Sequence, residues 1–220
     1  FTCGDVTVNG NGTITSAGAG GEGHVVSNGN ISLNGNSTIR GNATAGPGKK
    51  IKTTGLSRVT GTKGNLAAPW PCSPVDLAAL ASSLAASNDN AQVPQTSRGR
   101  NPLSGSSPPD LTLDGNETLV LPAGTYYLRK ITINGSSALS VSGDVRILAT
   151  GTVQVNGSST VNGSGSPSVL RLFTSGTSVT VNGGSALKGF VYASLSTASV
   201  TLDGGGSLTG GLYGGRLTLN

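Results

Sequence analysis

The sequence predicts an all-β protein, a right-handed β-solenoid of roughly triangular section with about 20 residues per coil and one flanking α-helix. Three observations carry this. A five-residue phrase recurs along the chain: VTVNG from 6, ISLNG from 31, LTLDG from 111, ITING from 131, VQVNG from 153, VTVNG from 179, VTLDG from 200, and LTLN from 217. In the second half the starts fall 20, 22, 26, 21 and 17 residues apart, about one solenoid lap each. Finally, 36 Gly, no Met and a hydrophobic share of 35% suit a narrow core of small β-branched residues better than a bulky globular one.

Each phrase alternates apolar and polar residues. Val6 and Val8, Ile131 and Ile133, or Val179 and Val181 therefore face inward, with Thr7, Thr132 and Thr180 outward. The Asn-Gly or Asp-Gly that follows turns the chain, because both residues tolerate positive φ. Further short strands, such as ALSVSG at 138–143 and VRILATG at 145–151, give three strands per lap. With rungs about 4.8 Å apart, eight phrases stack to roughly 40 Å.

Residues 65–110 interrupt the pattern. Ser73, Pro74 and Asp76 read as N-cap, first-turn proline and capping-box acid, and Val75, Leu77, Leu80, Ala81 and Leu84 trace one apolar stripe, predicting a helix over about 74–87 along a flank. NDNAQVPQTSRGRNPLSGSSPPD is then an aperiodic connector to the second stack. The predicted organisation is one solenoid domain over 1–220: N-terminal coils at 1–64, helix and connector at 65–110, and C-terminal coils at 111–220.

Cys3 and Cys72 pair in an extracellular setting, clamping the N-terminus to the segment before the helix; two reduced buried thiols are the alternative. No stretch approaches the roughly 18 apolar residues of a membrane span. The start at Phe1, without a visible signal peptide, suggests a mature or trimmed ectodomain from which an export or anchoring segment is missing.

Catalytic chemistry is sparse. Polysaccharide-cleaving β-helices need clustered acids, or an acid beside a base, to move a proton at the scissile bond. Here there are nine carboxylates, and Asp114 and Asp203 share a turn position several coils apart. His24 is the sole histidine, which excludes multi-imidazole metal sites. No GGxGxD repeat or phosphate-cradling loop occurs. No cofactor, metal or catalytic residue is expected.

Two surface features are candidates for binding. Thr7, Ser32, Thr112, Thr132, Gln154, Thr180, Thr201 and Thr218 occupy the second position of successive phrases and would form an outward ladder, a flat array of the kind ice-binding solenoids present. Against this, threonine is simply favoured on strands, Gln154 interrupts the ladder, and the Asn residues two positions on suit hydrogen-bonded turn ladders. Lys49, Lys50, Lys52, Arg58 and Lys63 place five of fourteen cations in fifteen residues. Such a patch suits anionic glycans, lipid headgroups or DNA, although it lacks the aromatics that stack on bases, and a solvated loop is the simpler reading. Trp70 is expected at the helix entry, and Tyr126 and Tyr127 as one core ring and one exposed, glycan-stacking ring.

VVSNGNISLNGNSTIRGNATAGPG at 25–48, the helix with its connector, and the run from LPAGTYYL at 121 to LTLN resemble a β-solenoid domain of unknown function found on bacterial surface and type IV pilus-associated proteins. The order of coils, helix and coils, with PAGTYYL at 122–128 and residues 187–220, is similar to the ice-binding-like solenoid domain of bacterial adhesins and antifreeze proteins. The first resemblance implies a surface module of unassigned role, and the second implies ice adhesion. The expectation is thus a secreted or cell-surface, non-catalytic structural or adhesive module, pilus- or fibre-associated. Its partners would be itself, by end-to-end stacking through strands left open at both ends, Asn220 included, or other surface proteins, a glycan or ice. No specific nucleic acid and no transmembrane segment are expected. The alternatives are an ice-binding protein using the threonine face, and a polysaccharide-binding or polysaccharide-cleaving β-helix.

Overall fold

A computed structural model describes residues 1–15, 21–72, 75–193 and 198–220. The recurring phrase forms the strand that sequence alternation requires. In Val6–Val8, Ile31–Leu33, Ile131–Ile133 and Val153–Val155 the two aliphatics are buried and the middle residue faces out. These aliphatics, with Leu119, Leu121, Tyr126, Leu128, Leu139 and Ile147, form one core that runs the length of the column.

Ten strands make a single sheet, nine of them at the phrase position. Its order is Leu103–Ser104, Asp110–Leu113, Ile131–Ile133, Val153–Val155, Ser178–Val181, Ser199–Leu202, Arg216–Leu219, Val6–Val8, Ile31–Leu33 and Ile51–Thr53. All run parallel except Leu103–Ser104, which lies antiparallel on the edge of Asp110–Leu113. The molecule is therefore a β-solenoid in which the N-terminal laps stack on top of the C-terminal ones. Val6–Val8 pairs with Leu217, Thr218 and Leu219 on one side and with Ile31–Leu33 on the other. This corrects the expectation of an open strand at Asn220: the last strand lies inside the stack, with a neighbour on each edge.

An eight-stranded sheet wraps the other two sides of the C-terminal laps. Its long strand Ala186–Ala193 spans both sides and pairs with Ser207–Gly214 along its whole length. In the N-terminal laps these sides are short three-stranded sheets: Thr13–Ile14, Thr38–Ile39 and Arg58–Val59 on one, Val25–Val26, Ala43–Ala45 and Lys63–Asn65 on the other. Thr2 bridges Gly214 to Ser27, so the two chain ends together make up one lap. That lap is incomplete. Among the described residues no strand pairing joins Ser207–Gly214 to Thr13–Ile14. Leu208 and Ile14 are accordingly only partly buried, whereas Leu187 and Ile39, one lap away, are fully so.

The turns explain the Asn-Gly punctuation. Gly135 has φ +76°, and a Cβ there would lie 2.4 Å from the Gly115 carbonyl oxygen in the lap beneath. Left-handed backbone and rung-to-rung contact both demand glycine at that position.

A single helix, α1 (Leu77–Ala86), lies on a flank as expected, starting and ending inside the predicted 74–87. Its N-cap is Asp76, whose side chain accepts hydrogen bonds from the Ala78 and Ala79 amides at 3.0 and 2.9 Å. The capping role therefore belongs to Asp76; Ser73 and Pro74 lie outside the described residues. Leu77 and Leu84 bury themselves against Leu148, with Tyr127 and Phe173 alongside. No helix among the described residues is long and apolar enough to cross a membrane.

The connector after the helix does more than span a distance: it caps one end of the column. Asp89 donates its amide to the Thr125 carbonyl, and its carboxylate accepts the Thr125 amide, each at 2.8 Å. The Asn90 side chain bonds both the carbonyl and the amide of Tyr127, imitating the peptide of a further strand. Ser97 does the same for Thr118, through its amide and its hydroxyl. Leu103–Ser104 covers the third edge. All three strands of the first C-terminal lap thus have their open edges satisfied.

Candidate binding faces

The eight outward positions of the phrase fall in one register column. Thr112 pairs with Thr132, Thr132 with Gln154, Gln154 with Thr180, Thr180 with Thr201, and Thr201 with Thr218. The column then crosses from the last strand to the first: Thr218 pairs with Thr7, and Thr7 with Ser32. Its next member is Lys52. Rungs stand about 4.8 Å apart, and every residue of the eight is partly exposed. Spatial order differs from chain order, yet nothing interrupts the sheet between Thr112 and Ser32.

The asparagines two positions on form the ladders that the turn chemistry requires. Asn134 donates to Asp114 at 2.9 Å, Asn156 to Asn134 at 2.8 Å, Asn9 to Asn220 at 2.8 Å, and Asn34 to Asn9 at 2.8 Å. Thr54 continues the second ladder by donating to Asn34. The edge of the face is consequently polar and held, at Asp114–Asn156 and at Asn220–Thr54, by side chains already engaged with one another.

The five clustered cations gather at the opposite end from the cap. Lys52 lies on Ile51–Thr53, Arg58 on Arg58–Val59 and Lys63 on Lys63–Asn65, the three strands of the outermost N-terminal lap; Lys49 and Lys50 form the turn leading into it. Lys49, Lys50, Lys52 and Lys63 line one open cleft of about 630 Å³ together with Asp5, Asn30, Ser32 and Asn65. Arg58 is not among its lining residues. Asn30 accepts the Lys50 amide at 3.1 Å, and Asn65 donates to the carbonyls of Gly46 and Lys49, both at 2.8 Å, so the lysine-bearing turn is held in place.

The aromatic expectations change. Tyr126 is the core ring, fully buried, with its hydroxyl donating to the Pro122 carbonyl at 2.8 Å and its titration pushed up by burial. Tyr127 is not a free glycan platform, because it packs beside Leu148 and Phe173 under α1. Trp70 packs on the N-terminal residue. It lies 5.4 Å from the Phe1 ring, which in turn meets Tyr213 at 4.9 Å, and Tyr213 donates its hydroxyl to Pro71. A disulfide between Cys3 and Cys72, with Cα atoms 5.6 Å apart, closes this corner.

One functional-looking carboxylate was not singled out from sequence. Glu117, 3% exposed, accepts hydrogen bonds from Arg100, Thr96 and the Asp114 amide. Arg100 above all holds its pKa down to about 2. Its column is otherwise filled by Ser137, Ser159 and Ser185, and its bonds to Arg100 and Thr96 make it an anchor for the cap. Asp114 and Asp203 are separated by three intervening strands. His24 is half exposed, its Nδ1 accepting the Asn42 amide at 3.0 Å. No group of three or more His, Cys, Asp or Glu among the described residues could hold a metal ion.

Comparison with known proteins adds the following. The family model of a domain of unknown function, DUF7305, matches residues 82–220. The crystal structure of an ice binding protein from an Antarctic biological consortium aligns with 99% of this chain and 82% of its own, at 16% identity and a TM-score of 0.48. No curated protein matches the sequence.

Proposed function

The chain belongs to the DUF7305 family, and from that premise we propose that it is a non-catalytic extracellular module that meets extended surfaces with its ten-stranded face. One observation carries the reading: seven hydroxyl side chains and Gln154 align in register along an uninterrupted sheet that crosses both chain ends. A rigid array of this kind suits adhesion or scaffolding, and the disulfide suits an oxidising compartment outside the cytosol. Association with a pilus or fibre belongs to the same reading, with the module as a side-on contact. End-to-end stacking has less support, because one end is capped and the other carries like charges.

The test is adsorption of the intact protein to a panel of insoluble glycans and to ice. Replacing Thr132 and Thr180 together with Tyr is expected to cut retention on the preferred solid about tenfold with circular dichroism unchanged. Equal retention of variant and wild type on every solid removes the face from function.

Ice is a second reading, favoured by the regular hydroxyl spacing alone. Lys130 and Arg216 beside the column weigh against it, since charges on the contact plane hold liquid water. Wild-type protein that produces neither thermal hysteresis nor altered ice-crystal shape ends this reading while leaving the adhesive one in place.

A further inference from the structure

We infer that the outermost N-terminal lap, residues 46–65, is a docking site for an acidic polysaccharide. The charge distribution is the starting point. The chain carries fourteen cations and nine acids, a net charge of +5. Five cations and no acid fall within 46–65, so the rest of the molecule, with nine of each sign, is neutral. The whole net charge of the protein therefore sits on one lap at one end of the column. Among the described residues no carboxylate lies within ion-pair distance of any of these five cations; the ion pairs that do form use Arg100, Arg129 and His24.

Edge protection explains part of this arrangement. Lysine and arginine on exposed edge strands discourage pairing with another sheet, which accounts for Lys52, Arg58 and Lys63. It does not account for Lys49 and Lys50, which lie in a turn, nor for the convergence of four lysines on one cleft of about 630 Å³. The turn is also preorganised, because Asn30 and Asn65 tie its backbone through three hydrogen bonds. Asp5, the one acid in the lining, is turned to Asn30, whose amide it accepts at 2.8 Å.

The chemistry of the lining selects the partner. No aromatic ring lines the cleft, which removes the stacking that single-stranded nucleic acids use. Ile51 is its only apolar side chain, and Leu56 stands alone as an exposed apolar residue of that lap, too little to anchor in a bilayer. A second copy fits poorly, since two such ends repel and the far end is closed. Ammonium groups interspersed with amide and hydroxyl side chains match a polymer that alternates carboxylates or sulfates with sugar hydroxyls.

The experiment uses the whole chain on immobilised polygalacturonate and heparin, with dextran as the neutral control and anionic vesicles and single-stranded DNA as the other partner classes. Wild type is expected to bind the acidic polysaccharides at low salt and to elute as ionic strength rises. Lys49→Gln/Lys50→Gln/Lys52→Gln/Lys63→Gln should lose at least about tenfold in affinity. A control with the same charge loss elsewhere, Lys130→Gln/Arg146→Gln/Arg171→Gln/Lys188→Gln, should lose far less. Thr132→Tyr/Thr180→Tyr should bind as wild type, which separates this site from the ten-stranded face. Equal losses in the two four-residue variants, retention on dextran, or tighter binding to vesicles or DNA than to either acidic polysaccharide overturns the proposal.

Discussion

Glu117 shows how one residue couples local turn chemistry to the integrity of an end. At the equivalent place in other laps a serine can close the turn: the Ser57 hydroxyl accepts the Thr54 amide at 3.0 Å, and the Ser159 hydroxyl donates to the Asn156 carbonyl at 2.7 Å. Glu117 accepts the Asp114 amide at 2.9 Å and reaches further, to Arg100 and Thr96 in the cap. Its folded pKa is depressed, so its stabilisation is complete above the ordinary carboxylate range near 4.5 and is lost as pH falls towards 2. Allowing for solvent around half-exposed Arg100, the effect is on the order of 2 kcal/mol. Glu117→Gln should therefore lower the urea midpoint at pH 7 and differ little from wild type at pH 2; a gap of equal size at both pH values would contradict the ion-pair account. Glycine offers a second residue-scale test. Both Gly135 and Gly10 have positive φ, but only at Gly135 would a Cβ strike backbone. Gly10→Ala should cost about 1 kcal/mol and Gly135→Ala clearly more, as thermal unfolding of the pair would register.

At the scale of elements, the strands were legible because period-two alternation is a local property, and the helix because its apolar stripe is. The cap was not. Ser73 and Asp76 both satisfy a sequence rule for helix starts, and geometry alone decides that the Asp76 carboxylate faces the free amides. Asp76→Ala should cost about 1 kcal/mol, read as greater amide exchange in α1 than in the sheet. The connector was opaque for a different reason. Its work is done by isolated side chains such as Asn90, which complete strand edges without any periodicity of their own. Exchange should also single out the incomplete lap: amides of Thr13–Ile14 and of Ser207–Gly210 should lose protection before those of Thr38–Ile39 and Ala186–Gly189. Uniform protection would mean that something bridges the break.

For the whole molecule, the repeats give the lap length and the facing of each residue but leave open which lap rests on which. A phrase such as VTVNG carries no mark of its neighbour, so the junction of Val6–Val8 with Leu217–Leu219 is a property of the folded path. The threonine column was legible as a set and illegible as an order for the same reason. The cationic cleft was half legible: five charges close in sequence are visible, whereas their place at the uncapped end depends on the N-terminal laps stacking outward from Arg216–Leu219. The disulfide ties Cys72, beyond the cationic lap, to Cys3 in the first lap. With its cysteines 69 positions apart in sequence it should contribute about 4 kcal/mol, and Cys3→Ala/Cys72→Ala should unfold at correspondingly lower urea, with the first laps affected most.

The meeting of first and last strands makes Arg216–Leu219 a keystone. A polypeptide is made from its N-terminus, so Val6–Val8 waits with one flank bare until Arg216–Leu219 emerges to fill it. Any chain lacking those residues keeps two naked β edges in its middle, an easy mark for proteases. That one rung thereby decides whether the two stacks close into one column.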